Sequence, residues 1–134
     1  MVSSTRSFLA VSLLAALLTN CTSTSSKLAA PGELHQVGFV WLKNAGNKTD
    51  RQQVVAAVHE FAKRIPEVIR ASVGRTDGIG GPFSDTSYDV AFTLTFANDA
   101  ARLRYNTHPV HEKAAKEVFL PLSRKLLFYR YVGE

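Results

Sequence analysis

The chain has a single cysteine, Cys21, which excludes an internal disulfide. No apolar run reaches the roughly 20 residues that a membrane-spanning helix needs; the longest stretch of that kind is Phe8 to Leu18. Charge of one sign is not concentrated anywhere. The 16 basic and 11 acidic residues are interspersed, as where Glu67 follows Lys63-Arg64, so a solvated surface is expected and a nucleic-acid partner is not. The glycines of Gly74–Thr86 lack a closing Gly-Lys-Ser/Thr, and a strand rather than a helix follows them. A phosphate cradle is thereby excluded. His108 and His111 lack the i, i+4 spacing of a helical zinc site, and no inward carboxylate joins them, so no metal and no cofactor is expected. At 134 residues there is room for one domain.

The first quarter of the chain reads as an address. Arg6 precedes the apolar stretch Phe8–Leu18, and Leu18-Thr19-Asn20-Cys21 follows, then Thr-Ser-Thr-Ser-Ser. A positive start before a short apolar core has the form of a signal peptide. With the cysteine directly behind it, the segment resembles a bacterial lipoprotein signal. That resemblance implies residues 1–20 as signal peptide and lipidation at Cys21. It also implies a flexible tether over 21–33 and a protein held at the cell envelope by its lipid, facing the periplasm, with Asn20 standing where such signals carry Gly, Ala or Ser.

From residue 34 the pattern alternates between strand and helix. Leu34–Lys43 is β-like, with His35, Val37, Phe39 and Trp41 on one face. Thr49 or Asp50 is expected to cap a helix to about Arg64, whose stripe of Val54, Val55, Val58, Phe61, Ala62 and Ile65 is amphipathic. Pro66 stops it, and Glu67–Val73 reads as a second strand. Ser87–Phe96 is a third strand, placing Val90, Phe92, Leu94 and Phe96 together. Asn98 or Asp99 caps a short helix through Tyr105, a helix from Pro109 to about Leu120 follows, and Lys125–Val132 closes as a strand. The order β–α–β–β–α–β is that of a ferredoxin-like α+β fold: a four-stranded antiparallel sheet with helices on one face. The far face would carry Trp41, Thr93, Thr95, Tyr129 and Tyr131 or their neighbours. Face-to-face homodimerisation would bury so aromatic a surface.

The densest chemistry is Tyr105-Asn106-Thr107-His108-Pro109-Val110-His111. A residue before proline leaves the α region, and Pro109 suits the first turn of a new helix. The corner between two helices therefore gathers a phenol and two imidazoles. With His35 it would share one cavity walled by Val37, Phe39, Val54, Val58, Phe92 and Phe128, an apolar hollow with few polar groups, as ligand sites usually are.

His35-x-Val37-x-Phe39-x-Trp41-Leu42-Lys43, Arg64-Ile65-Pro66-x-Val68, Gly74, Thr95-Phe96, Tyr105-x-x-His108-Pro109-x-His111, Pro121-Leu122 and Tyr131 together resemble the Dabb domain, the stress-responsive dimeric α/β barrel family. The resemblance spans about Glu33 to Val132, so residues 34–134 form the expected domain. It implies protomers that pack their sheets into a barrel across a homodimer. In family members with known chemistry, a tyrosine and the second histidine of this motif cyclise a polyketide by an aldol-type condensation. These map to catalytic Tyr105 and His111, with His35, Val37, Phe39, Val58, Phe92, His108 and Phe128 as ligand-binding positions. Arg130 stands where the family often has aspartate, and Val90 where the cyclising members have histidine. The leading expectation is an envelope module that binds a small apolar or aromatic ligand. The alternatives are a cyclase or lyase, with His111 as general base and Tyr105 stabilising the enolate oxygen, and a structural dimer without ligand.

Overall fold

A computed structural model describes residues 28–134; the expected signal peptide, Cys21 and the tether up to residue 27 lie outside the described residues. The elements are β1 (Leu34–Leu42), α1 (Lys48–Arg64), β2 (Arg70–Arg75), β3 (Val90–Phe96), α2 (Asp99–Asn106), α3 (Pro109–Ala114), a π-helical turn (Ala115–Phe119), α4 (Leu120–Leu122) and β4 (Ser123–Val132). The strands form one sheet in the order β2-β3-β1-β4, and each neighbouring pair is antiparallel. The expected ferredoxin-like βαββαβ arrangement is the one the chain adopts, with the helices on one face.

Local chemistry sets the boundaries. Asn47, not Thr49 or Asp50, caps α1, its side chain accepting from the Asp50 N–H at 3.0 Å. Asp50 in the first turn and Lys63-Arg64 in the last complement the helix dipole. Ile65 is extended because Pro66 follows it. The second strand starts three residues later than its composition suggests, because the Val68 N–H turns back to the Ile65 carbonyl at 3.1 Å. The third begins at Val90 rather than Ser87, since Ser87 and Asp89 serve other partners. The Trp41 indole N–H donates to Ser87 Oγ at 2.9 Å. The buried Asp89 carboxylate accepts from the N–H groups of Leu42 (2.8 Å) and Gly46 (2.6 Å), pinning the β1–α1 turn.

The last helix is not uniform. The Leu120 N–H reaches back five residues to the Ala115 carbonyl, which widens the helix before Pro121. Proline in an α-helix clashes with the carbonyl four residues back, and the wider turn relieves that clash. At the other end the fold begins earlier than 34. Gly32 N–H bonds the Gly133 carbonyl (2.9 Å), and Gly133 N–H bonds the Glu33 carbonyl (2.8 Å), so the end of the expected tether is clasped to the chain's last residues.

The core lies between sheet and helices: Val40, Leu42, Val90, Phe92, Leu94 and Phe96 from the strands meet Val54, Val58 and Phe61 of α1. On β1 the helix-side residues are therefore Leu34, Gln36, Gly38, Val40 and Leu42. His35, Val37, Phe39 and Trp41 do share a face, as expected, but it is the outer one. His35 pairs across from Thr95 and Tyr131, Val37 from Thr93 and Tyr129. The expected placement of His35, Val37 and Phe39 in a cavity under the helices is thus overturned. A period of two keeps all four residues on Trp41's side of the sheet.

Gly38 opens the helix side. The Phe92 ring lies across β1 so closely that a Cβ on Gly38 would meet it at 2.5 Å. Only glycine lets that ring lean over the strand towards Phe128, 6.1 Å away between ring centres.

Candidate functional site

Tyr105 ends α2 and His111 lies in the first turns of α3, with their ring centres 4.4 Å apart. Three backbone features hold the corner. His108 N–H bonds the Tyr105 carbonyl at 3.1 Å, Pro109 starts α3, and His108 caps it, Nδ1 accepting from the Val110 N–H at 3.2 Å. His108 therefore holds the helix start, and it does not line the cavity as expected.

The His111 imidazole is oriented from the opposite side. Its Nδ1 lies 2.9 Å from the Asn106 carbonyl, one of the groups left without an intrahelical partner at the end of α2. A carbonyl can only accept, so Nδ1 carries the proton, and in the neutral ring Nε2 is the proton-accepting atom. Tyr105 is 2% exposed, packed edge-on to Phe61 at 5.6 Å and against Phe96 at 5.0 Å. Burial pushes its phenol well above the ordinary tyrosine value, so it stays a neutral hydrogen-bond donor.

These two groups face a cavity of about 180 Å³, whose other walls are Phe61, Phe92, Ala115, Phe119, Leu120, Leu126 and Phe128. Tyr105 and His111 are its polar side chains; every other wall is apolar. Phe61 centres the aromatic wall, 5.7 Å from His111 and 5.9 Å from Phe119. Leu120 is largely exposed and Phe128, on the edge strand β4, nearly half exposed, and the two mark the mouth. The π-helical turn supplies Ala115 and Phe119, so the irregular stretch shapes the hollow.

Of the sequence-predicted residues, the structure brings together Tyr105, His111, Phe92 and Phe128. It does not bring in Val58, which is sealed in the core, nor His108, nor His35, Val37 and Phe39 on the outer face. His35 is instead part of a second cluster. It stacks on Tyr131 at 4.7 Å, and its Nδ1 meets Thr95 Oγ1 at 3.0 Å. Its Nε2 lies 4.0 Å from Glu33. Partial desolvation raises the Glu33 carboxyl, but bonds from the Arg70 guanidinium and the Ala30 N–H outweigh it and hold the group below the usual carboxylate range. A residue the sequence reading passed over is Gln36, a buried amide on the helix-side face. It lies one pair beyond Gly38–Phe128, opposite Leu94 and Arg130. Among the described residues no group of three or more His, Cys, Asp or Glu is placed to hold a metal ion, and no helix is long and apolar enough to cross a membrane.

Sheet order, connectivity and a polar pair over an apolar hollow define a ferredoxin-like protein with a cavity on its helical side. The chain belongs to the Dabb family, described as the Stress responsive A/B Barrel Domain, whose model matches residues 34–132. Among solved structures it is similar to a Dabb family protein with a ferredoxin-like fold from Mesorhizobium loti. The two are 25% identical with a TM-score of 0.64, over 77% of this chain and 98% of that one. It is also similar to the hydroxynitrile lyase of Passiflora edulis, at 24% identity and a TM-score of 0.65, over 78% of this chain and 96% of that one. A dimeric ferredoxin-like protein from Bacteroides fragilis shares the fold at 17% identity and a TM-score of 0.59, over 75% and 96% of the two chains. No match was found among the curated proteins.

Proposed function

We propose that this Dabb protein is a homodimeric, envelope-anchored module that binds a small apolar or aromatic ligand in the cavity beneath Tyr105 and His111. The observation that carries the reading is the cavity itself: an apolar hollow of about 180 Å³ at whose wall one phenol and one imidazole are the polar side chains. Apolar walls supply affinity and a few placed polar groups supply orientation. A ligand with a flat apolar body and one carbonyl or hydroxyl matches that lining. A thermal-shift screen of aromatic and fatty metabolites tests the reading. Hits should stabilise the wild type and lose their effect in the Tyr105→Phe/His111→Ala double variant.

The dimer would form through the outer sheet face, where Phe39, Tyr129 and Tyr131 cluster and the two tyrosines are more than half exposed. Dimeric proteins of the same fold from Bacteroides fragilis and Thermobifida fusca support this reading. The anchor is the lipid on Cys21. Cys21→Ser should move the protein from the membrane fraction to the soluble fraction, and an unchanged distribution would overturn the anchor.

A second reading, a cofactor-free lyase or aldol-type cyclase, is favoured by one feature, the hydrogen bond from His111 Nδ1 to the Asn106 carbonyl. It makes Nε2 the base. Nε2 would take a proton from the carbon α to a carbonyl, and the electron pair would move onto the carbonyl oxygen, where the Tyr105 O–H donates a hydrogen bond to the growing charge. On a hydroxynitrile the same Nε2 would instead take the hydroxyl proton, the oxygen's electron pair forming the carbonyl as the C–CN bond breaks and cyanide leaves. Likeness to the Passiflora edulis lyase makes that cleavage the first reaction to assay. Turnover lost in both Tyr105→Phe and His111→Ala supports this reading. Turnover insensitive to both contradicts it.

A further inference from the structure

The loop between β2 and β3 carries an exposed apolar tip. Phe83 is 100% exposed and Ile79 is 72% exposed. This tip is built rather than frayed. The Ser84 N–H closes a turn on the Gly81 carbonyl at 3.1 Å, with Pro82 and Phe83 at its centre, and the Asp77 side chain accepts from the Ile79 N–H at 2.9 Å. Proline fixes one of the two central residues of that turn. The backbone beneath the ring is therefore held in a turn, so docking Phe83 would not have to order the loop as well as the side chain.

The same loop returns onto the outer sheet face. Tyr88 packs edge-on to Phe39 at 5.1 Å and to Trp41 at 6.4 Å. Beside it is an aromatic cleft of about 320 Å³ lined by Phe39, Trp41, Asp85, Tyr88, Leu127 and Tyr129. A cavity of roughly 150 Å³ is enough to take a benzene ring. Edge-to-face contacts among these rings leave ring faces and edges suited to one more aromatic.

We propose that in the homodimer Phe83 of each protomer seats in this aromatic cleft of the other. The inference rests on the homodimer reading above. The loop that carries Phe83 also lends Asp85 and Tyr88 to the cleft on the face proposed for that contact. A two-fold axis that seats one Phe83 in the partner's cleft seats the other as well, so both clefts are filled by one operation.

The test is sedimentation equilibrium of full-length Cys21→Ser protein in mild detergent. Phe83→Asp should raise the dimer dissociation constant at least tenfold, and so should Tyr129→Asp. Because both remove the same contact, the double variant should be no more than about twofold weaker than the weaker single variant. Mixing Cys21→Ser/Phe83→Cys with Cys21→Ser/Tyr129→Cys protein under mild oxidation should give a disulfide-linked heterodimer. Phe83 touches nothing in its own protomer, so its variants should fold with unchanged circular dichroism. A wild type that is monomeric at tens of micromolar would overturn the dimer reading and this proposal together. A dimer that Phe83→Asp weakens less than twofold, with no cross-link, would overturn the proposal and leave the dimer standing.

Discussion

The Phe92 ring lies directly over Gly38, so close that a methyl group at position 38 would sit 2.5 Å from its nearest carbon. That contact lets Phe92 wall the cavity from β3 while reaching towards Phe128 on β4. Gly38→Ala should force the ring aside, and overpacking of this kind costs about 1–3 kcal/mol. Urea unfolding should show the loss as a lower midpoint, and ligand affinity should fall with it because Phe92 is a wall. An unchanged midpoint would mean that the ring has room to move.

Asp89 makes a second prediction about stability. Its carboxylate accepts two backbone N–H groups at the end of β1 and in the following turn. Asp89→Ala leaves both without that acceptor in a buried setting, at a cost of about 2–3 kcal/mol for bonds to a charged group. Asp89→Asn, which keeps one acceptor oxygen, should fall between. Denaturant midpoints of the three proteins give the order directly.

Alkaline pH should expose the burial of Tyr105. Its folded-state value lies above the ordinary 10.0, so the folded protein holds this proton more tightly than the unfolded chain does. The contribution to stability is complete below about pH 10 and is lost as pH rises beyond it. Unfolding midpoints of the wild type should drop on that limb, and those of Tyr105→Phe should drop less. Spectrophotometric titration of the native protein should likewise show one tyrosine that ionises only on unfolding.

The α3 cap separates structure from chemistry. His108→Ala removes the side chain that receives the Val110 N–H, and losing a cap costs about 1 kcal/mol. Ligand affinity should fall as well, because α3 carries His111. His108→Asn, a strong N-cap, should restore both. If Asn restored stability without affinity, His108 would be touching the ligand.

Much of this molecule was legible in its residues. The strand and helix order followed from alternation and from proline and glycine punctuation, and Tyr105 and His111 meet because Pro109 forces a corner two residues before the histidine. The far-face placement of Trp41, Thr93, Thr95, Tyr129 and Tyr131 holds, and what failed was the helix-side placement of His35, Val37 and Phe39. His35, Val37, Phe39 and Trp41 alternate cleanly, but so do Leu34, Val40 and Leu42, and a strand apolar on both faces does not declare which face the helices cover. Gly38 was the available signal: a missing side chain midway along a strand marks a close approach by something on that side. It would have turned Gln36, not His35, inward. The π-helical turn had no signature beyond Pro121, because the widening depends on how the helix seats against the sheet.

The central claim is that Tyr105 and His111 jointly govern a ligand cavity, and a protein-observed NMR titration with acetophenone tests it most directly. This probe offers a small aromatic body and one carbonyl oxygen for the phenol to meet. The account predicts saturable shifts centred on Tyr105, His111, Ala115 and Phe128, which vanish in the Tyr105→Phe/His111→Ala variant. Saturable shifts confined to the outer face around Phe39 and Tyr129, or a titration that leaves the α2–α3 corner unmoved, would contradict it.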